Sequence, residues 1–449
     1  MQGRKPDASD KRNKMNILET IKEKYQSSKI ETGSKVLAPI EQNAFEVFSR
    51  MGVPTARHEE WKYTRVNSLF NKDYQLATGM QPVLTATDVD PFRLPEYEMA
   101  NELVFVNGLY SPSLSVVRSP ELVVMSLEEA SKGNYSEIVS KHLGHSSNYI
   151  KDGIHALNTA FVHGGVFIHI GKGQIAEHPV YIYNITDART MSILSLPRVL
   201  IHIGEQSQVQ FTETYATIGN SESFVNQVLE IVVEKDANVE YYKIQNDSVH
   251  TSQVNTTHFR QVGKSYVHTV TITLDGGIIR NNLNIVLDAE RSEAQLHGLY
   301  FLKGQNHVDN HTTVDNVKPN CLSNELYKGI IDDNATAVFN GKIFVQQPAQ
   351  KTNAYQSNKN VLLSDNASVN TKPQLEIFAD DVKCSHGCTV GRLDEEGLFY
   401  LRSRGIGEEA AKALLVHAFA IDILEHIKPE AIRSYVDQLI SERLEIHIA

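Results

Sequence analysis

Cys384 and His386 stand one residue apart in the run Ala379-Asp380-Asp381-Val382-Lys383-Cys384-Ser385-His386-Gly387-Cys388-Thr389-Val390-Gly391. In an extended backbone alternate side chains project to one face, so this thiol and imidazole would lie side by side. A thiolate and a neutral imidazole make half of a site for a soft transition metal. Two ligands do not complete a tetrahedral shell, so the others would have to come from another chain. Cys388 is the one further cysteine within reach in sequence. The competing reading is that a lone cysteine is a small, inert, buried hydrophobe.

A second constellation is His307, Asp309 and His311. On a strand these three share a face, and two imidazoles with a carboxylate can hold a metal. An exposed polar ladder would read the same way. Gly263-Lys264-Ser265 resembles the end of a phosphate loop, but the glycine required five positions earlier is His258. The chain therefore carries no Walker A site for ATP. It also has no His-Glu-x-x-His, no Cys-x-x-Cys and no Gly-x-Ser-x-Gly.

The elements that must position these residues fall into three zones. In the first, Ile17, Ile21 and Tyr25 recur at helical spacing, and Glu41 to Met51 forms a second helix stopped by Pro54. The lone tryptophan follows in Pro54-Thr55-Ala56-Arg57-His58-Glu59-Glu60-Trp61-Lys62-Tyr63-Thr64, where it reads as an aromatic packed under a charged loop. The second zone is a succession of short β-branched and aromatic runs punctuated by Gly, Asn and Asp. A weak repeat places a small residue after a polar turn at 207, 237, 265, 294, 335 and 367, in steps of 30, 28, 29, 41 and 32. Such a period with strands as the unit points to a stacked β-solenoid over an antiparallel sandwich. In the third zone Ala411, Leu414, Leu415, Ala418 and Ile421 form an apolar stripe, and a helix after Pro429 turns Ile432, Val436, Leu439 and Ile440 inward. The expected divisions are an extension over 1–14, a mainly helical domain over 15–155, a β-helix core over 156–390 and a helical domain over 391–449.

Composition narrows the function. The chain of 449 residues has 43 basic and 54 acidic side chains, a net charge of -11, which argues against a nucleic-acid partner. No apolar run of membrane-spanning length occurs, and Met1 to Lys14 is polar without the apolar core of an export signal. Three cysteines, Cys321, Cys384 and Cys388, cannot make a disulfide framework, and they read as thiols of a cytoplasmic protein.

The Ala379–Gly387 run, followed by Gly391-Arg392-Leu393-Asp394-Glu395 and Leu398-Phe399-Tyr400-Leu401-Arg402-Ser403-Arg404-Gly405-Ile406, closely resembles the SufB/SufD family. The Pro54–Thr64 segment looks like the SufD branch, and Asn324-Glu325-Leu326-Tyr327-Lys328-Gly329 matches the family's β-region. SufB usually carries Glu where this chain has Gly387, which favours SufD; Cys388 departs from many SufD members, which have a small residue there. The resemblance implies a right-handed parallel β-helix between helical N- and C-terminal regions. It implies a non-catalytic scaffold that pairs with a SufB-type chain, each of the two binding one SufC-type ATPase, and that binds no ATP itself. It places Cys384 and His386 at the SufB–SufD interface, where a transient iron–sulfur cluster forms, with Cys388 as a further candidate. It implies ATPase docking through Leu398, Phe399, Tyr400, Arg402, Arg404, Gly405 and Leu414. A homodimer is expected when the chain is alone. The competing functions are a β-helix enzyme acting on carbohydrate, against which the absent export signal counts, and a plain solenoid adaptor.

Overall fold

The computed structural model describes residues 17–28, 34–77 and 84–445. The expected extension over 1–14, and the side chain of Ile17, lie outside the described residues. Helices α1 (Ile17–Ser28), α2 (Leu37–Met51), α3 (Ala86–Val89), α4 (Leu127–Lys132), α5 (Ser136–His142) and α6 (Gly153–Ala160) precede or interleave with strands β1 (Gln75–Leu76), β2 (Asn101–Val106), β3 (Leu109–Tyr110) and β4 (Leu122–Ser126). A parallel β-solenoid of about eight turns follows, each coil giving one long strand to each of two sheets.

The coils run β5 (Val166–Ile170) and β6 (Val180–Asp187); β8 (Arg198–Ile203) and β9 (Gln208–Ile218), after the short β7 (Ile193–Ser195); β10 (Ser223–Val233) and β11 (Asn238–Asn246); β12 (Thr251–Gln261) and β13 (Tyr266–Asp275). They continue with β14 (Ile278–Leu287) and β15 (Glu293–Leu302); β16 (His307–Asn316) and β17 (Leu322–Ile331); β18 (Thr336–Val345) and β19 (Asn353–Leu362); β20 (Ser368–Ile377) and β21 (Lys383–Gly391). The first strand of each coil stacks in one sheet and the second in the other. Helices α7 (Glu395–Ser403), α8 (Glu408–Leu424) and α9 (Glu430–Arg443) close the described chain.

The register explains the sequence. Ile168, Ile201, Ile231, Phe259, Ile285, Val314, Ile343 and Leu375 stand opposite one another through all eight coils of the first sheet. Seven of the eight are buried, and Leu375 on the last coil is half-buried. Each full burial of this kind stabilises by about 1.5–3 kcal/mol. The recurring Ser207, Ala237 and Ser265 are buried corners at the entry to successive strands of the second sheet. Ser292 and Cys321 hold the next two corners in register, and Ala294 lies two residues past its own. Ala335 and Ala367 are corners of the first sheet, so the 41-residue step is a change of sheet and not an insertion.

Left-handed residues set five of the second-sheet corners: Gln206, Asp236, Arg291, Asn320 and Lys351, with φ between 57° and 62°. A non-glycine residue gives up about 1–2 kcal/mol there. Each offsets it by donating its N–H to a turn carbonyl one coil on, as Gln206 does to Lys235 at 2.8 Å and Asn320 to Gln350 at 2.9 Å.

The outer faces are covered too, so central strands such as β10 are buried along their whole length. Leu37, Leu127, Val139 and Val162 pack on Phe167, Leu200 and Val232 of the first sheet. The Arg198–Glu230 ion pair is buried, and Glu230 also accepts the backbone N–H of Gly144 at 2.8 Å and Ser146 at 2.7 Å. Trp61 is buried as expected, donates to Asp152 at 3.1 Å, and lies under the Arg280 guanidinium at 4.0 Å.

On the second sheet Val416, Ala420, Ile423, Ile432, Val436 and Ile440 meet Tyr242, Ile244, Val270 and Ile272. Here the structure corrects the stripe read on α8. Ala411 is buried as read, together with Ala413, Val416, Ala420, Ile423 and Leu424, while Leu415 and Ile421 are half-buried and Leu414 and Ala418 face solvent. The helix is apolar on two faces, and only packing decides which one the core takes.

Candidate functional site at the last coil

Cys384, His386 and Cys388 all lie on β21, the last strand of the second sheet. Their register shows which way they point. Cys384 stands opposite Ala354, then Ser323 and Ala294 behind it. His386 ends the column Phe211, Tyr241, Thr269, Leu296, Glu325, Gln356. Cys388 ends the column Glu213, Lys243, Thr271, Gly298, Tyr327, Asn358. The residues behind all three are buried inside the solenoid. The three side chains therefore form the last layer of the interior, left open where the coils stop. The register gives Cys384 and His386 the shared face expected from their spacing.

The interior is not apolar throughout. Glu213 on the second coil lies 3.3 Å from Lys243 and accepts from Asn184 at 2.9 Å, and further along Tyr300, Asn358 and Asn360 are linked by hydrogen bonds. Burial pushes Glu213 up, but Lys243 and the donors around it win and hold it below the usual carboxylate range. Glu325, two layers beneath His386, receives a hydrogen bond from Gln356 at 2.8 Å, and the Thr312 hydroxyl lies beside it. Burial pushes it up to about 7. Sequence reading passed over this acid because its burial is decided by register alone.

Burial also pushes up the Cys384 thiol, against a smaller opposing effect of the Ala354 backbone. In the chain alone it is a neutral thiol packed on the core margin. Cys388 is exposed, and Cys321 is a buried corner thiol, pushed up to about 11 by burial and donating to the Ala289 carbonyl at 3.3 Å. A side chain at Gly387 would meet nothing within 4 Å, so packing does not require the glycine.

His307, Asp309 and His311 do share a neighbourhood, but it is closed on itself. His307 contacts the Thr64 hydroxyl at 2.9 Å, and Asp309 lies 3.0 Å from both Arg280 and His311. Glu60, lowered to about 2 chiefly by its hydrogen bond to His311, completes a network that ties the Pro54–Thr64 segment to the first sheet. These residues fasten the N-terminal region to the solenoid.

The expected docking residues cluster on α7 and the outer face of α8. Phe399 is 75% exposed, Tyr400 56% and Leu414 45%. Arg404 stacks on Tyr400 at 5.1 Å, Arg402 lies 3.3 Å from Glu408, Leu398 is half-buried, and Gly405 takes φ +89° to end the helix.

Fold and site together define a parallel β-solenoid protein with helices on both sheets and an open last coil that presents thiol and imidazole groups. Two family models match in succession: the SufBD protein N-terminal region over residues 12–182, and the SUF system FeS cluster assembly SufBD core domain over 184–419. The chain belongs to the SufB/SufD family of iron–sulfur cluster assembly proteins. It is 31% identical to an iron–sulfur cluster assembly SufBD family protein of Synechocystis over 95% of both chains. It is 30% identical to the iron–sulfur cluster assembly protein SufD of Escherichia coli, over 91% of this chain and 93% of that one. To SufD of Bacillus subtilis it is 26% identical, over 69% and 71%. Among the described residues no helix is long and apolar enough to cross a membrane.

Proposed function

We propose that the chain is a non-catalytic scaffold subunit that pairs end to end with a SufB-type chain and receives a nascent iron–sulfur cluster at the junction. The observation that carries this is the open last coil. Strands β20 and β21 each have a sheet neighbour on one side only, and the interior columns behind β21 end in Cys384, His386 and Cys388. A partner stacking on that end would extend both sheets and supply the missing ligands. The cluster is cargo shared across the interface.

His386 acts as a ligand or proton handler, since a neutral imidazole binds iron and its second ring nitrogen can carry a proton. Cys384 acts as thiolate ligand or sulfur acceptor. Its raised thiol pKa means that the metal or the partner must drive off its proton. The exposed aromatic face of α7 and α8 docks a SufC-type ATPase, and ATP is bound there and not by this chain. ATP-driven dimerisation of two ATPase subunits then moves the paired solenoids and opens the junction to iron and sulfur. The complex works in the cytoplasm, with no nucleic acid or membrane as partner.

The test is co-purification from the native cell with a tag on this chain, followed by anaerobic reconstitution. A SufB-type chain and a SufC-type ATPase are expected to come down together, and His386→Ala and Cys384→Ser to lower bound iron and labile sulfide. Recovery of this chain alone, with no iron retained in any mixture, would overturn the reading.

A further inference from the structure

Away from the last coil, three histidines meet where the C-terminal helices cross the second sheet. His268 lies on β13 and His297 on the adjacent β15, where the register sets His268 opposite Gln295 and His297 opposite Val270. They are thus one coil apart on the sheet's outer face. His426 comes down on them from the turn between α8 and α9. The ring of His297 stacks on His426 at 3.5 Å and stands edge-on to His268 at 5.3 Å. One ring nitrogen from each residue lies within 4.8 Å of the others.

We propose that His268, His297 and His426 bind one divalent first-row transition ion, such as zinc, and so clamp the α8–α9 turn to the solenoid.

Four observations support it. First, Nδ1 of His268 and Nδ1 of His297 are buried with no hydrogen-bond partner. A buried polar atom is normally satisfied, and two such atoms on neighbouring rings call for a shared partner. Second, burial lowers all three imidazoles, His268 to about 4 and His297 to about 3, which keeps them neutral as metal ligands must be. Lys428 adds to this at His268, with Glu240 opposing; Glu425 and Asp422 oppose it at His426. Third, the spacing is nearly right. Zinc–nitrogen bonds of about 2.0–2.1 Å place ligand nitrogens about 3.3–3.4 Å apart in a tetrahedron. One ring nitrogen of each residue already lies within 4.8 Å of the others, so a rotation of the half-buried His426 ring is what must close the trio. Fourth, His297 also lines an open cavity of about 360 Å³ that runs to His386 on the last coil, so its ring borders space that water can enter. The turn is already fastened nearby by Lys428, 2.6 Å from Glu240.

This proposal does not depend on the cluster-assembly reading, because its site shares no ligand with Cys384 or His386 and its test needs no partner. The tag-free, chelator-stripped full chain is titrated with Co²⁺ and followed by visible absorption and equilibrium dialysis. One ion per chain with the intense d–d bands of a tetrahedral site is expected. Loss of even an outer-sphere partner weakens a metal site about 10–100-fold, so His297→Gln should cost about 100-fold or more and His426→Gln at least about tenfold. The double variant Cys384→Ser with His386→Ala should bind unchanged. His426 is half-buried, so its variant decides the matter if His297→Gln fails to fold. Absence of tetrahedral bands, or full binding by a folded His426→Gln chain, overturns the proposal.

Discussion

At the scale of single residues, the sharpest consequence of the fold is a carboxyl group placed where a carboxylate is costly. Glu325 sits on an interior column of the solenoid, and burial raises it to about 7 from an ordinary 4.5. Between those two pH values the unfolded chain has released the proton while the folded chain still holds it. Stability therefore falls as pH rises through that window, by about 3 kcal/mol in all. Glu325→Gln should remove the slope, because the unpartnered Gln356 Oε1 can accept from the new amide. Thermal melts at pH 5 and pH 8 check this: the variant should gain at pH 8 and gain little at pH 5. An unchanged slope would place the loss elsewhere. The reactive residues were legible in sequence, since Cys384 and His386 announce themselves by spacing. Glu325 was not, because nothing in Asn324-Glu325-Leu326 says which of the three turns inward.

At the scale of elements, β15 and β17 interlock. Tyr327 stands opposite Gly298, and Tyr300 opposite Gly329, so each ring lies over the other strand's glycine. A methyl group at Gly298 would come within 2.2 Å of the Tyr327 ring. Gly298→Ala should lower stability by about 1–3 kcal/mol, read as a lower denaturation midpoint with an unchanged slope. Gly387→Ala, with open space around it, should leave the midpoint where it is. Helix α8 makes the complementary point. Its apolar stripe was visible in sequence, but a helix apolar on two faces has no intrinsic inside. Leu414→Asp and Phe399→Asp on the free face should leave the circular dichroism and melting temperature unchanged. They should abolish co-purification of the ATPase subunit.

At the scale of the whole molecule, a solenoid must end, and this one ends with two sheet edges exposed at the last coil. An open edge is a template for another strand. The chain alone should therefore self-associate as its concentration rises, and added SufB-type partner should displace the homodimer. Val390, 47% exposed on β21, lies at that end. Val390→Lys should shift the chain toward monomer in sedimentation without altering its melting temperature. A dimer indifferent to that change would have to form through another surface.

The sequence by itself determined the solenoid, because stacked coils repeat the same burial demand and a small corner residue must recur for each coil to close. It also marked out the Cys384–Cys388 segment, whose chemistry is carried by residue type at short spacing, and, through the family resemblance, the aromatic run of α7. Only the tertiary structure decided what lies far apart in sequence and close in space. The corner column changes sheets between Ala294 and Ala335, so the repeat looks broken until the register is known. His307, Asp309 and His311 are spent on Thr64 and Glu60, over two hundred positions away in the chain, and on Arg280, one coil back. His268, His297 and His426 have no shared sequence pattern. They meet because the last helices fold back to bury their apolar face on the third and later coils, a contact set by packing and not by spacing.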